Sequence, residues 1–257
     1  MSIDYSEKVV IITGSSSGIG QAAAILFAKS GAFVTIHGRS ENGIKKTADL
    51  ILESGIPKER IHSVKGSVTD SKVQKALIDE TISKFGRIDV LINNAGGVKT
   101  DEKKSKINGI FRLFPIALTE LAIPYLEKTK GCIINVSSGG SQKPFPSIPY
   151  YCIAKAGLDH FARNYAAILA PTGIRINNLN PGLTDTGSVK KTGAPEEMIQ
   201  KMREFYISQI PLRRAAASEE MGEFMLFMAS EKASYLTGQC IVVDGGMLIN
   251  SPSMKLD

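Results

Sequence analysis

Tyr151 and Lys155 stand four residues apart in "SIPYYCIAK", and of seven tyrosines Tyr151 alone has a lysine at that offset. On a helix, side chains at i and i+4 share a face, so this phenol and ammonium can approach the same ligand. A phenol titrates near pH 10 and is poorly poised at neutral pH; a neighbouring ammonium lowers that value. Such a pair can hold or release a proton. Tyr150 has Ala154 at the same offset and reads as a pocket wall or a packing residue. Thirteen residues before Tyr151 comes Ser138, next to Ser137 at the end of an apolar run. Alternation along a strand puts these two hydroxyls on opposite faces, so only one of them turns toward the phenol. A Tyr–Lys spacing also arises by chance, and its meaning depends on the elements around it.

Those elements alternate. Short β-branched runs are expected as strands over Val9–Thr13, Phe33–His37, Arg60–Val64, Val90–Asn94, Cys132–Ser137, Arg175–Asn180 and Cys240–Val243. Between them, helices are expected over Gly20–Lys29, Asn42–Glu53, Ser71–Phe85, Phe111–Glu127, Tyr151–Ala170 and Ser218–Ala229. Strands such as "VVIIT" and "CIINV" are almost wholly apolar, as expected when helices cover both sheet faces. Strand–helix alternation predicts an α/β fold, a doubly wound parallel sheet of seven strands. No repeat or linker divides residues 1–257, which read as one domain. Ligands of such sheets bind at the carboxyl ends of the strands, where strand order reverses.

The first strand runs into "TGSSSGIG", Thr13 to Gly20. Glycines there permit a tight turn and a close approach to a pyrophosphate, and the following helix N-terminus favours an anion. Gly14, Ser16, Ser17, Gly18, Ile19 and Gly20 are therefore candidate cofactor contacts; a plain turn is the alternative. The second strand ends "TIHGRS", where an acidic residue would suit the ribose hydroxyls of NAD. Arg39 and Ser40 stand there instead, and a guanidinium suits a 2′-phosphate. NADP(H) is expected over NAD(H), with a solvated surface arginine as the alternative.

By these features the chain resembles the short-chain dehydrogenase/reductases of about 250 residues, from Lys8 to Met247. The ordered signals are "TGSSSGIG", "NNAG" at 93–96, "INVSS" at 134–138, "YCIAK" at 151–155, "NPGLTDT" at 180–186 and "LTGQCIVVDGG" at 236–246. The resemblance implies a Rossmann-type domain that transfers hydride between a nicotinamide and a ketone or secondary alcohol. It implies Ser138, Tyr151 and Lys155 as the catalytic residues. Tyr151 would donate the proton, Lys155 would lower its pKa and hold the nicotinamide ribose, and Ser138 would bond the substrate oxygen as charge develops. Ser138 and Tyr151 would thus also be the substrate contacts. It further implies Asn94, Ala95 and Gly96 against the adenosine side, and Pro181, Gly182, Leu183, Thr184 and Thr186 near the carboxamide. Relatives form tetramers through helices equivalent to Phe111–Glu127 and Tyr151–Ala170 and through the last helix and strand, so a homotetramer or homodimer is implied. A lid-like segment, about residues 187–213, would set specificity. Its Met198, Met202, Phe205 and Tyr206 either line the substrate pocket or pack the lid on the body.

Two positions depart from the family pattern. Ser67 stands where the family has an aspartate near the adenine, leaving its hydroxyl and the Val68 backbone for that contact. The family's fourth catalytic residue, an asparagine, is not matched: alternative registers give Phe111 or Lys106, with Asn108 nearest, and the segment 97–111 is short. A cofactor-binding member with little turnover is therefore the rival reading.

The remaining composition excludes several classes. The net charge is +6 and the pI about 9.1, but "DEKKSK", "PKER" and "SEKAS" mix signs and no run of five like charges occurs. Nucleic-acid binding is not expected. Cys132, Cys152 and Cys240 form no CxxC pair, which suits free thiols in a reducing compartment and argues against a metal site. No apolar stretch approaches membrane-spanning length, and the N-terminus "MSIDYSEKVVIITG" lacks a signal-peptide pattern. A cytoplasmic protein without a membrane partner, acting on a small carbonyl or alcohol, is expected.

Overall fold

The computed structural model describes residues 3–96, 114–186 and 195–250. Seven strands form one parallel sheet: β1 (Val9–Ile12), β2 (Phe33–Gly38), β3 (Ile61–Lys65), β4 (Val90–Asn93), β5 (Cys132–Val136), β6 (Arg175–Pro181) and, last in the chain, β9 (Cys240–Val243). Their spatial order is β3-β2-β1-β4-β5-β6-β9, so the order reverses between β1 and β4. This is the doubly wound Rossmann-type sheet that the alternation predicts. Two further two-residue strands, β7 (Thr184–Asp185) and β8 (Ala216–Ala217), pair with each other beside the sheet. They are too short to carry a period, and nothing in their sequence announces them.

The helices are α1 (Gly18–Lys29), α2 (Glu41–Glu53), α3 (Ser71–Phe85), α4 (Phe114–Thr129), α5 (Pro149–Leu169), α6 (Glu196–Ser208) and α7 (Ser218–Ala229). Expected boundaries shift by a few residues at helix starts: α1 begins at Gly18, and α5 begins at Pro149, whose missing amide is harmless in a first turn. Strand alternation divides the core in two. Val10, Ile12 and Ile134 face α1, α2 and α7, packing with Phe27, Ile51 and Met225. Ile11, Leu91 and Ile133 face α3, α4 and α5, packing with Leu77, Leu126 and Phe161. Each fully buried Ile, Leu or Phe stabilises by about 1.5–3 kcal/mol, so the sheet is a stiff platform for whatever its carboxyl edge presents. Among the described residues no helix is long and apolar enough to cross a membrane, and no cluster of three metal-ligating side chains occurs.

Candidate active site

At the reversal of strand order, the turn after β1 is clasped to the loop after β4. The Thr13 hydroxyl accepts the amides of Asn94 and Ala95, both at 3.0 Å, and Asn94 Nδ2 donates to the carbonyls of Thr13 (2.8 Å) and Gly14 (3.3 Å). The clasp is tight enough to require glycine. A Cβ on Gly20 would sit 2.3 Å from Asn94 Nδ2 and 2.7 Å from the Gly14 carbonyl oxygen. Gly14 has φ +68°, and a Cβ there would stand 2.8 Å from Ala95 Cα. The first turn of α1 carries no acidic residue, so its N-terminal amides and dipole suit an anion. A backbone cradle of this shape fits a pyrophosphate-bearing dinucleotide.

The other expected cofactor residues gather along the same edge. A Cβ on Gly18 would lie 3.0 Å from Thr186 Cβ, which puts the end of the 181–186 segment against the glycine turn. Pro181 closes β6, and the Gly182 amide donates to the Val243 carbonyl at 2.9 Å. Leu183 accepts the Ala216 amide at 2.9 Å, and the Thr184 hydroxyl donates to the Gly182 carbonyl at 3.2 Å. Ser16 packs against Gly38 and Gly43, next to exposed Arg39 and Ser40. Ser40 has a structural task as well: its hydroxyl accepts the Gly43 amide at 3.1 Å and caps α2. Ser67 and buried Val68 follow β3, and the Ser67 hydroxyl is bonded to Thr69 at 2.9 Å.

Sequence reasoning missed His37. It is 2% exposed at the end of β2, and its Nδ1 accepts the Gly14 amide at 3.2 Å. Burial pushes its pKa down to about 4, so the ring is neutral with its proton on Nε2, which has no partner among the described residues. The signal available was an imidazole at the end of a mostly apolar strand, in "TIHG".

Across the edge, β5 and α5 position the residues expected to react, Ser138, Tyr151 and Lys155. Ser138 follows β5, and its hydroxyl accepts the Gly140 amide at 3.1 Å, capping a single 3₁₀ turn, Gly139–Ser141. Ser137 turns away: its hydroxyl donates to the Lys155 carbonyl at 3.3 Å. Tyr151 and Lys155 share a face of α5, with Lys155 Nζ 5.7 Å from the Tyr151 ring centroid. Lys155 Nζ donates to the Val136 carbonyl at 2.6 Å and stands 3.8 Å from where a Gly96 Cβ would be. The lysine thus lies between the "NNAG" loop and α5. Burial pushes its pKa down to about 8, opposed by the charge of Asp159. Burial also pushes Tyr151 above the ordinary phenol value, while a hydrogen bond with Ser138 pulls it down. The sequence predicts a lowered phenol; in the structure desolvation is the larger effect and the value is raised. Tyr150 is 36% exposed.

The expected substrate segment is represented by α6, which buries none of its residues. Met198, Met202 and Phe205 are 54%, 45% and 62% exposed. Of the four, Tyr206 is the one whose ring contacts the body among the described residues, 6.4 Å from that of Phe145. Lys106, Asn108 and Phe111, the alternatives for the fourth catalytic position, lie outside the described residues.

Comparison with known proteins agrees with this geometry. A family model described as enoyl-(acyl carrier protein) reductase matches residues 14–248. A 3-oxoacyl-[acyl-carrier-protein] reductase of Thermotoga maritima is 35% identical, over 94% of this chain and 98% of its own length. A Caenorhabditis elegans short-chain dehydrogenase/reductase of unknown function, solved with cofactor, superimposes with a TM-score of 0.90 at 39% identity, covering 96% of this chain and 97% of that one. L-Sorbose reductase of Gluconobacter frateurii, solved with NADPH and L-sorbose, gives 0.88 at 31% identity, over 96% and 99%. With a glycine cradle, a Tyr–Lys helix and a serine-bearing strand end on one sheet edge, and these relatives matched end to end, the chain belongs to the short-chain dehydrogenase/reductase family of oxidoreductases.

Proposed function

We propose that the protein is an NADP(H)-dependent oxidoreductase acting on a ketone or secondary alcohol, with Tyr151 as proton donor and acceptor. The observation that carries this reading is the convergence of Ser138, Tyr151 and Lys155 beside a backbone cradle that a single Cβ would fill. When bound, the nicotinamide supplies or accepts the hydride. The chain's own residues do the rest. The Ser138 hydroxyl donates to the substrate oxygen as negative charge develops. The Tyr151 hydroxyl delivers the proton in reduction and removes it in oxidation. Lys155, moved from the Val136 carbonyl to the ribose, places its charge beside the phenol and lowers the pKa that burial raises. Gly14 to Gly20 bind the pyrophosphate, Ser67 and Val68 meet the adenine, and Pro181 to Thr186 orient the ring. Arg39, exposed at the end of β2 with no acidic residue in its place, favours the 2′-phosphate.

The substrate is read from chemistry alone: a small carbonyl compound or alcohol, admitted beneath the lid-like segment. Relatives named as reductases of 3-oxoacyl-[acyl-carrier-protein] and of L-sorbose put both ketone types in the panel. The exposed apolar residues Leu121, Ile153 and Ile168 on α4 and α5, and Phe224, Phe227 and Tyr235 on and after α7, support a homotetramer or homodimer. The single domain, the cytoplasmic location and the lack of nucleic-acid or membrane partners complete the reading. The test is absorbance at the reduced nicotinamide band with NADPH or NADH, a ketone panel, and wild type beside Tyr151→Phe. Oxidation of NADPH that Tyr151→Phe matches at full rate overturns it, as does cofactor binding without turnover of any ketone.

A further inference from the structure

Behind the site, a row of buried amides crosses three neighbouring strands. Asn93 on β4, Asn135 on β5 and Asn178 on β6 occupy one register line. Asn93 Nδ2 donates to Asn135 Oδ1 at 2.9 Å, and Asn135 Nδ2 donates to Asn178 Oδ1 at 2.8 Å. Asn178 Nδ2 then donates to Asp159 Oδ1 on α5, again at 2.8 Å. The second oxygen, Asp159 Oδ2, accepts Asn180 Nδ2 at 2.8 Å. Asp159 is 2% exposed.

The direction of this row is informative. A carboxylate only accepts, so Asn178 must turn its NH₂ toward Asp159, which turns its oxygen toward Asn135, and so on to β4. The consequence is visible at the far end, where Asn93 Oδ1 is buried with no partner among the described residues. Every amide dipole in the row therefore points its positive end at Asp159, an arrangement that supports a negative charge there. A buried carboxylate costs several kcal/mol of desolvation, and an apolar residue at 159 would need no such row.

One turn earlier on the same helix is Lys155. Its amine bonds a backbone carbonyl, and among the described residues it has no carboxylate within ion-pair distance. Burial drives it toward neutrality near pH 8, and Asp159 is the group that opposes this. The other titratable groups around the pair, among the described residues, are Tyr151, Cys152 and Arg163 on α5 and Cys240 on β9. Burial pushes the Cys240 thiol up to about 11, so it is uncharged where Lys155 titrates. Among the described residues Asp159 is thus the one carboxylate that opposes the desolvation of this amine.

We propose that Asp159 is a positioning residue that acts through Lys155, as the buried anion that keeps the lysine an ammonium while it serves Tyr151. The consequence for catalysis rests on the proton-transfer reading above; the titration does not. The test is NMR of apoprotein labelled with ¹³Cε-lysine, with the Lys155 signal assigned by its loss in Lys155→Met. Wild type should titrate near pH 8, far below the surface lysines, and Asp159→Asn should lower that midpoint by about one pH unit. An unmoved midpoint overturns the proposal, because a merely structural Asp159 has no reason to shift a lysine. Should Asp159→Asn fail to fold, the variant Asp159→Leu/Asn178→Val/Asn180→Ala removes the charge together with both amides that it accepts from, and the same drop is expected. Tyr151→Phe separates the two readings. If it retains wild-type turnover, proton transfer by Tyr151 fails whatever Lys155 does; if it is inactive while the Lys155 midpoint is unmoved, only the role of Asp159 fails.

Discussion

The turn after β1 and the helix α6 both follow strand ends on the side of the sheet that carries the site, and they are built in opposite ways. The turn is locked from every direction: by Thr13 and Asn94 above it, by His37 behind it, and by glycines whose smallest substitution meets backbone or a bonded amide. The helix α6 presents Met198, Met202 and Phe205 outward and is tied to the body by the Arg203–Asp185 pair, with contacts of 3.3 and 2.8 Å, and by the Tyr206–Phe145 ring contact. An exposed ion pair of that kind contributes about 0–1 kcal/mol. A shared reaction needs a cofactor and a proton donor held rigidly, whereas a choice of substrate is made by a surface that can repack.

The largest expected effect lies in the rigid half. Tyr151→Phe should lower kcat by about a thousandfold, as loss of a positioned acid does, while the NADPH dissociation constant measured by fluorescence stays within about twofold. Comparable loss in Phe205→Ala would erase the distinction between the halves. Next, two identical truncations should diverge. Phe27→Ala removes a fully buried ring and should cost about 3–5 kcal/mol in urea unfolding. Phe205→Ala should change stability by less than about 0.5 kcal/mol and raise KM for the preferred ketone instead.

A pH measurement sharpens the same contrast. Lys155 has its folded pKa lowered to about 8 from 10.5, so between those values the unfolded chain binds the extra proton and stability rises with pH. The penalty is complete below about pH 8 and is relieved as pH climbs toward 10.5. Wild type should therefore gain on the order of 3 kcal/mol across that window relative to Lys155→Met, read from urea midpoints at each pH. Equal slopes would show that the amine is not desolvated. The smallest effect concerns cofactor choice. Arg39→Ala should weaken NADPH binding by about tenfold and leave NADH unchanged, by calorimetric titration. Equal loss for both cofactors would return Arg39 to the solvated surface.

Much of this was legible because it is local. The Tyr151–Lys155 spacing, the glycine turn and the apolar strands each lie within a few residues of chain, where helix and strand periods act directly. The alternation of elements then confines topology to a few right-handed arrangements, and the observed order is one of them. Ser40 shows the limit of such reading, since one hydroxyl serves as a helix cap and as a candidate cofactor contact at once.

By itself, then, the sequence determined the fold class, the order of the elements and which residues could meet at the carboxyl edge, because short-range spacing and burial pattern dictate those. Only the tertiary structure decided that His37 backs the glycine turn, that Asp159 ends a row of amides from three strands, and that Met198, Met202 and Phe205 on α6 are exposed. Those facts depend on side chains from distant segments meeting in a low-dielectric interior, where the strength and direction of each bond are set by the partner and not by the residue's own neighbours in the chain.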